Sequence, residues 1–236
     1  MHGNEGARRG GPALVVFDCD GVLVDSEPIS LATLTRALNG IGLATDIDQV
    51  RERFAGTSMR SIMERVRAED GLSAPEGFVE RVKAETLRAF DAELSAVAGV
   101  AALLRDLPLP FCVASSSDPV RLRHSLGLTG LLPFFEGRIF SSTEVARGKP
   151  FPDLFLHAAG RMGAAPEACL VVEDSVPGVQ AARAAGMRVI GFTGGGHWGH
   201  DRGGAALSQA GADPVVADHP ALAALLAPAR TVTVGR

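Results

Sequence analysis

An apolar run that ends in two carboxylates constrains the fold of this chain more than any other feature. Leu14–Phe17 has the character of a fully buried strand, and Asp18, Cys19, Asp20 and Gly21 follow it at once. In open α/β sheets, ligands bind beyond the carboxyl ends of the strands, so a buried strand that ends in acids indicates a site. Two acids one residue apart can supply one carboxylate for attack and a second for proton transfer. An acidic turn or helix cap after the strand is the alternative interpretation.

Further strand-like runs alternate with helical patterns in the second part of the chain. The predicted strands are Phe111–Ser115, Arg138–Phe140, Cys169–Val172, Arg188–Thr193 and Pro214–Ala217, and the predicted helices are Val100–Leu107, Val120–Leu126, Asp153–Met162 with Asp153 as N-cap, and Val176–Ala185 before Gly186. This alternation predicts an α/β fold with a doubly wound parallel sheet. Between residues 28 and 96 the strand signals stop and the patterns become those of amphipathic helices. We therefore predict a core domain formed by residues 1–27 and 97–236, with an inserted all-helical cap domain at 28–96.

Composition indicates an ordinary enzyme with a small-molecule partner. Hydrophobic residues make up 46% of the chain, and the net charge of −4 argues against non-specific binding to nucleic acid. No apolar run approaches the length of about 18 residues that a membrane span needs. Cys19, Cys112 and Cys169 all lie in or beside strand-like runs, which suits a reducing compartment and predicts a cytoplasmic protein without disulfides. Residues 1–10 are interpreted as a loose leader, and the chain is expected to be a monomer or a weak dimer.

Three more strand ends carry polar side chains. Ser115 and Ser116 follow one strand and could hold phosphate oxygens, although a serine-rich turn explains them equally well. Lys149 follows the next strand, and it is one of only two lysines among the 23 basic residues, which singles it out as a candidate for a required ammonium. A solvated surface lysine is the more ordinary explanation of this position by itself. Glu173 and Asp174 end a further buried strand, where helix capping by Asp174 is the alternative. The order of acid pair, hydroxyl, lysine and acid pair predicts one shared site.

In these motifs the chain resembles the haloacid dehalogenase-like hydrolase superfamily, in its branch of small-cap sugar-phosphate phosphatases and β-phosphoglucomutase-like enzymes. The resemblance extends from about Leu14 to the C-terminus and implies a Rossmann-like core. Four motifs carry it: the segment from Phe17 to Glu27, Ser115, Lys149-Pro150, and the segment from Glu173 to Gly178.

The resemblance implies a role for each of these residues. Asp18 is expected to be the nucleophile that forms an aspartyl-phosphate, and Asp20 the general acid and base. Asp18, Asp174 and the main-chain carbonyl of Asp20 are expected to hold Mg²⁺, with Glu173 in the outer shell. The expected phosphate clamp consists of the side chains of Ser115 and Lys149 and the backbone N–H groups of Cys19, Asp20 and Ser116. The partner is then a small phosphorylated metabolite.

Departures from the branch favour a phosphatase over a phosphohexomutase, which remains the alternative. Mutases of the branch usually carry a histidine early in the cap, where this chain has Ser30. They also tend to follow the second-motif serine with lysine and asparagine, where this chain has Asp118 and Pro119. Dehalogenases of the superfamily lack the second acid, so Asp20 argues against that chemistry.

Two loops are left with open interpretations. By resemblance, the segment from Phe54 to Arg60 is the cap loop that faces the site, and Thr57, Ser58 and Arg60 are candidates for contact with substrate; a helix start capped by Ser58 is equally plausible. Gly194, Gly196 and Gly199 match a dinucleotide-binding G-x-G-x-x-G pattern, but no clean apolar helix start follows them. His197 and His200 have the spacing of a metal pair without a supporting cluster, and we interpret them as loop residues near the site.

Overall fold

The computed structural model describes residues 11–54, 59–198 and 204–227. Its centre is a sheet in which all paired strands are parallel, in the order β3-β2-β1-β4-β5-β6. The strands are β1 (Leu14–Phe17), β2 (Phe111–Ser115), β3 (Ile139–Ser141), β4 (Cys169–Glu173), β5 (Arg188–Phe192) and β6 (Val215–Val216). The predicted doubly wound parallel sheet is confirmed. The direction of winding reverses between β1 and β4, which is where sheets of this kind bind ligands.

Helices connect the strands and cover the sheet. In the described part of the chain five helices lie between β1 and β2, and the first four are α1 (Glu27–Gly40), α2 (Ile47–Phe54), α3 (Met59–Asp70) and α4 (Phe78–Glu93). The others are α5 (Val100–Asp106), α6 (Pro119–Leu128), α7 (Leu132–Phe135), α8 (Asp153–Arg161), α9 (Val176–Ala184), α10 (Ala205–Ala210) and α11 (His219–Leu226). No helix in the described ranges combines the length and the apolar character that a membrane crossing needs.

The two faces of β1 pack into different hydrophobic clusters. Successive side chains of a strand point to opposite faces, so Val15 and Phe17 join the cluster under α5, α6 and α11. Leu14 and Val16 join the cluster under α8, α9 and α10. Because both faces of the sheet are covered, the central strands are apolar throughout, which is why they are recognisable as continuous apolar runs.

Helices α1 to α4, called the helical insert below, have a hydrophobic cluster of their own. It includes Leu34 and Leu38 from α1, Phe54 from α2, Ile62 from α3 and Val82 from α4. The described part of residues 28–93 contains no strand, as the sequence patterns predict. That residues 28–96 form a separate domain stays a prediction.

One predicted helix cap is wrong. The N-cap position of α8 is occupied by Pro152, and Asp153 is the first residue of the helix. Both carboxylate oxygens of Asp153 accept hydrogen bonds from Arg147, at 2.8 and 2.9 Å, so this side chain serves an ion pair instead of the helix terminus.

Candidate active site

The polar residues predicted from the strand ends meet at one edge of the sheet. In the parallel register Phe17 lies level with Val113 of β2 and Val172 of β4, so the three strands end side by side. Asp18 follows β1, and Glu173 and Asp174 lie at the end of β4. From the loop after β3, the Nζ of Lys149 donates to Oδ1 of Asp18 at 2.6 Å and to Oε2 of Glu173 at 2.7 Å. Four of the predicted side chains therefore form one cluster.

Lys149 is a buried lysine. Its side chain is 5% exposed, and the ammonium lies 5.1 Å from the centre of the Phe155 ring, which is inconsistent with a solvated surface residue. Burial alone would lower the pKa of Lys149, but the attraction of Asp18 and Glu173 outweighs that effect and raises the pKa above its ordinary value. The residue is therefore a permanent cation between two carboxylates.

Asp18, Glu173 and Asp174 have the geometry and chemistry of a site for a hard cation. One carboxylate oxygen from each lies within 4.8 Å of the others. Burial raises the pKa of both Asp18 and Asp174; Lys149 opposes this, and the neighbouring carboxylates add to it. A divalent cation would relieve this crowding of negative charge, and oxygen ligands are those that Mg²⁺ prefers. The residues present therefore fit Mg²⁺.

Glu173 already has partners for both of its oxygens. Oε2 accepts from Lys149, and Oε1 accepts from the N–H of Ser175 at 3.1 Å and from its hydroxyl at 2.7 Å. Asp18 and Asp174 are consequently the carboxylates better placed to hold a metal directly. The alternative role of Asp174 as helix cap is wrong, because Ser175 occupies the N-cap of α9 and accepts from the N–H of Gly178.

Asp20 lies in a different electrostatic environment from Asp18. Its Oδ1 accepts from the Ser26 hydroxyl at 2.5 Å and from Nη2 of Arg121 at 2.9 Å, while its Oδ2 accepts from the Ser117 hydroxyl at 2.6 Å. Burial would raise the pKa of Asp20, but the Arg121 charge and the hydrogen bonds lower it to about 2. Asp20 is thus held in its ionised form, which can accept a proton, while burial raises the pKa of Asp18, so the two carboxyl groups differ in environment.

Two glycines allow backbone and carboxylates to come close together. A Cβ atom on Gly21 would lie 1.9 Å from Oδ2 of Asp174, and the φ angle of Gly21 is +76°. A Cβ atom on Gly178 would lie 2.0 Å from Cδ of Glu173. Any larger residue at these positions would displace the acids, so both glycines belong to the construction of the site.

The serines after β2 lie beside the same edge. Ser115 is buried at the strand end, and its hydroxyl accepts from the N–H of Ser117 at 3.1 Å. Ser116 is exposed, and its carbonyl accepts from the Ser142 hydroxyl at 2.9 Å. Their roles in phosphate binding stay predictions.

The structure brings none of the candidate cap residues into contact with the cluster around Asp18 in the part of the chain that it describes. Thr57 and Ser58 lie outside the described residues. Arg60 lies in the first turn of α3 with an 89% exposed side chain, and it forms an ion pair of 3.5 Å with Glu64. Among the described residues, Arg60 is not in contact with the cluster around Asp18.

Two residues near the site were not assigned a role from the sequence. Arg121 binds Asp20 from α6, and Nε2 of His197 lies 3.2 Å from Oδ2 of Asp174. His197 belongs to a short 3₁₀ turn, Gly196–Trp198, in place of the helix that a dinucleotide-binding motif requires. Its predicted location near the site is confirmed, whereas Gly199 and His200 lie outside the described residues.

Comparison with known proteins agrees with this geometry. The family model described as haloacid dehalogenase-like hydrolase matches residues 12–186. The 6-phosphogluconate phosphatase of Escherichia coli K12 is 38% identical over 179 residues, which cover 75% of this chain and 81% of that protein.

Two solved structures share the fold. A conserved haloacid dehalogenase-like protein from Agrobacterium tumefaciens C58 has a TM-score of 0.82 and 37% identity, covering 92% of this chain and all of that one. A hydrolase from Deinococcus radiodurans R1, solved with bound phosphate and sodium, has a TM-score of 0.77 and 34% identity, covering 94% of this chain and all of that one.

Proposed function

The chain belongs to the haloacid dehalogenase-like hydrolases and is a phosphatase of that family, and we propose that its substrate is a small sugar, polyol or sugar-acid phosphate, hydrolysed with Mg²⁺. The observation that carries the proposal is the buried bridge from Lys149 to Asp18 and Glu173, beside Asp174. Phosphoryl transfer needs positioned positive charge more than covalent help, and this edge of the sheet holds a permanent cation next to a candidate metal site. The relative that hydrolyses 6-phosphogluconate supports the class of substrate.

In the proposed mechanism Asp18 is the nucleophile. Its carboxylate oxygen bonds to phosphorus as the ester P–O bond breaks, and the departing alcohol oxygen takes a proton from Asp20. This step requires Asp20 to be protonated in the substrate complex, whereas the free site favours its ionised form. Asp20 then takes a proton from a water molecule, whose oxygen bonds to phosphorus as the bond to Asp18 breaks. The products are the alcohol and inorganic phosphate, and both carboxyl groups return to their starting states.

Positive charge and hydrogen-bond donors hold the phosphoryl group in place. Lys149 has three N–H donors, two of which bind Asp18 and Glu173, so the third is available to a phosphate oxygen. The Ser115 hydroxyl and the backbone N–H groups of Cys19, Asp20 and Ser116 complete the proposed clamp. When bound, Mg²⁺ at Asp18, Asp174 and the main-chain carbonyl of Asp20 supplies charge that offsets the repulsion between phosphate and carboxylates.

The helical insert is proposed to form a cap domain, residues 28–96, that selects the substrate. Thr57, Ser58 and Arg60 are the candidates, because the segment from Phe54 to Arg60 resembles the cap loop of the branch. Hydroxyls there suit a sugar or polyol, and a guanidinium suits a second anionic group.

Water is the proposed final acceptor, which makes the protein a phosphatase and not a phosphohexomutase. A mutase must hold a bisphosphate, which requires additional cations. Ser30, Asp118 and Pro119 occupy the positions where a mutase carries such groups, and none of the three is a cation. Ser30 stands where a mutase histidine is expected, and Asp118 accepts from the N–H groups of Val120 and Arg121 as the cap of α6. Interconversion of a sugar 1-phosphate and 6-phosphate faster than phosphate release would overturn this choice.

A panel of phosphorylated metabolites tests the proposed function. The purified protein is assayed for phosphate release from sugar, polyol and sugar-acid phosphates, in Mg²⁺ and again in excess EDTA. We expect release from at least one of them in Mg²⁺, its loss in EDTA, and its return when Mg²⁺ is restored. Equal release with and without Mg²⁺, or release from none, would contradict the proposal.

A further inference from the structure

Arg121 joins the helical insert to the site. Its Nη2 donates to Oδ1 of Asp20 at 2.9 Å and lies 3.4 Å from the hydroxyl of Ser30 in α1. The guanidinium carbon lies 4.9 Å above the centre of the Phe90 ring in α4. One side chain thus contacts the carboxyl group that handles the proton and two helices of the insert.

The location of Arg121 in α6 is unfavourable for a cation. It lies in the first turn of the helix, where the unpaired N–H groups carry partial positive charge and acidic side chains are preferred. Asp118 compensates that terminus through hydrogen bonds to the N–H groups of Val120 and Arg121. The Arg121 guanidinium points instead to Asp20, to whose Oδ1 its Nη2 donates. The residue is therefore stabilised by the active-site carboxylate and not by its own helix.

Arg121 differs from the other partners of Asp20 because it cannot accept a hydrogen bond. The hydroxyls of Ser26 and Ser117 donate to ionised Asp20, and by rotation they can accept from the protonated acid. A guanidinium has donors only, so Oδ1 remains an acceptor beside Arg121 in both protonation states. Ser26 also contacts Oδ1, but a proton on that oxygen would face the Arg121 guanidinium, so the proton that Asp20 transfers is favoured on Oδ2.

We propose that Arg121 is a positioning residue for Asp20: it fixes Oδ1, leaves Oδ2 to exchange the proton with the leaving group, and links this orientation to the helical insert through Ser30 and Phe90. The inference rests on the proposed function, since it requires Asp20 to be the general acid and base. It deepens that function by assigning the residue that orients the acid.

Leaving groups of different basicity separate this role from a structural one. A sugar or alkyl phosphate needs a proton on its departing oxygen, whereas p-nitrophenyl phosphate releases a phenolate that needs almost none. The value of kcat/KM reports steps up to transfer of the phosphoryl group to Asp18, so it excludes the later use of Asp20 as base. The test compares kcat/KM for both substrates in wild type, Asp20→Asn, Arg121→Met, Arg121→Lys and, as the matched control, Arg123→Met on the exposed side of the same helix.

The expected results form a graded pattern. Asp20→Asn should lose about 10²–10⁴-fold on the sugar phosphate, the usual contribution of acid–base catalysis, and much less on p-nitrophenyl phosphate. Arg121→Met should lose at least about tenfold more on the sugar phosphate than on p-nitrophenyl phosphate. Arg121→Lys should recover part of this difference because it keeps the charge, and Arg123→Met should stay within about twofold of wild type on both substrates.

The alternative results point to different failures. Equal losses on both substrates in the Arg121 variants, with a selective loss in Asp20→Asn, would overturn the positioning role and leave the proposed function standing. Equal losses in Asp20→Asn would overturn the role of Asp20 and the inference with it. Thermal unfolding of each variant identifies a loss of fold; if Arg121→Met does not fold, the same comparison of the two losses is made on Arg121→Lys.

Discussion

An ion pair at the carboxyl edge of the sheet is buried, whereas an ion pair on α3 of the helical insert is exposed. The bridge between Lys149 and Glu173 joins side chains that are 5% and 1% exposed. The ion pair of Arg60 and Glu64 on α3 joins side chains that are 89% and 69% exposed, at 3.5 Å. A pair of the second kind contributes little to stability, because water and salt screen it.

The difference teaches where function is located in this molecule. Burying charges is expensive, and buried ion pairs often stabilise a fold less than apolar residues would. A concentration of buried acids with shifted pKa values is therefore better explained by chemistry than by stability. The surface pairs of the insert need no such explanation, so substitutions at exposed positions of the insert, away from Ser30 and Phe90, are expected to leave the chemistry intact.

The largest expected effect is on turnover, from neutralising Asp18, the proposed nucleophile. Asp18→Asn should lower kcat by at least about 10⁴-fold, because an amide is a poor nucleophile and nucleophile removal costs on this scale. The matched control is Glu85→Gln on the exposed side of α4, which should stay within about twofold. Steady-state kinetics in Mg²⁺ measures both, and turnover of Asp18→Asn within tenfold of wild type would contradict the covalent mechanism.

A second prediction compares the two lysines of the chain in the metal-free protein. Lys149→Met leaves Asp18 and Glu173 buried without their cation, and breaking a buried pair in this way costs about 3–5 kcal/mol. Lys83→Met, on the exposed side of α4, should change the free energy of unfolding by less than about 0.5 kcal/mol. Urea unfolding in EDTA measures both variants. Equal free energies of unfolding for the two variants would show that Lys149 does not compensate the buried charges of Asp18 and Glu173.

The smallest expected effect is on the pH dependence of the free energy of unfolding. It should arise in the core around the sheet and not in the helical insert, because the sequence places no histidine between residues 28 and 96. His219 is fully buried, its Nδ1 pairs with the carbonyl of Ala98 at 3.0 Å, and burial lowers its pKa. The unfolded chain binds a proton near pH 6.5 and the folded chain resists it, so the free energy of unfolding should fall as the pH drops below about 6.5. Burial lowers the pKa of His197 in the same direction.

Urea unfolding at pH 7.5 and 5.5 checks this prediction in wild type and in His219→Asn, whose amide can still donate to Ala98. Wild type should lose more stability between the two pH values than the variant does. An identical loss in both proteins would assign the pH response to other groups.

The sequence predicts the sheet and the strand-end residues because both follow from local patterns. Apolar runs identify strands that are covered on both faces, and the ends of parallel strands share one edge. The sequence alone therefore groups Asp18, Lys149, Glu173 and Asp174 at one site. The interaction between Lys149 and Glu173 could not be predicted, because it depends on how the loop after β3 turns back over the sheet.

Contacts made by residues far apart in sequence were missed for the same reason. Arg121 is one of many arginines, and it binds a carboxylate that precedes it by 101 positions. The one local signal was the position of Arg121 in the first turn of a helix, where a cation is unfavourable unless it has a partner elsewhere. Asp153 shows the opposite error, since its position after Pro152 is typical of an N-cap while Arg147 takes both of its oxygens.

Chemical trapping of the phosphorylated enzyme tests the central claim, covalent catalysis by Asp18, most directly. The protein is mixed with substrate and Mg²⁺, quenched during turnover, treated with borohydride, which reduces an acyl phosphate to an alcohol, and digested for mass spectrometry. Covalent catalysis by Asp18 predicts homoserine at position 18, dependent on substrate and absent from Asp18→Asn. Continued phosphate release with position 18 unmodified, or with the label on another carboxylate, would contradict it.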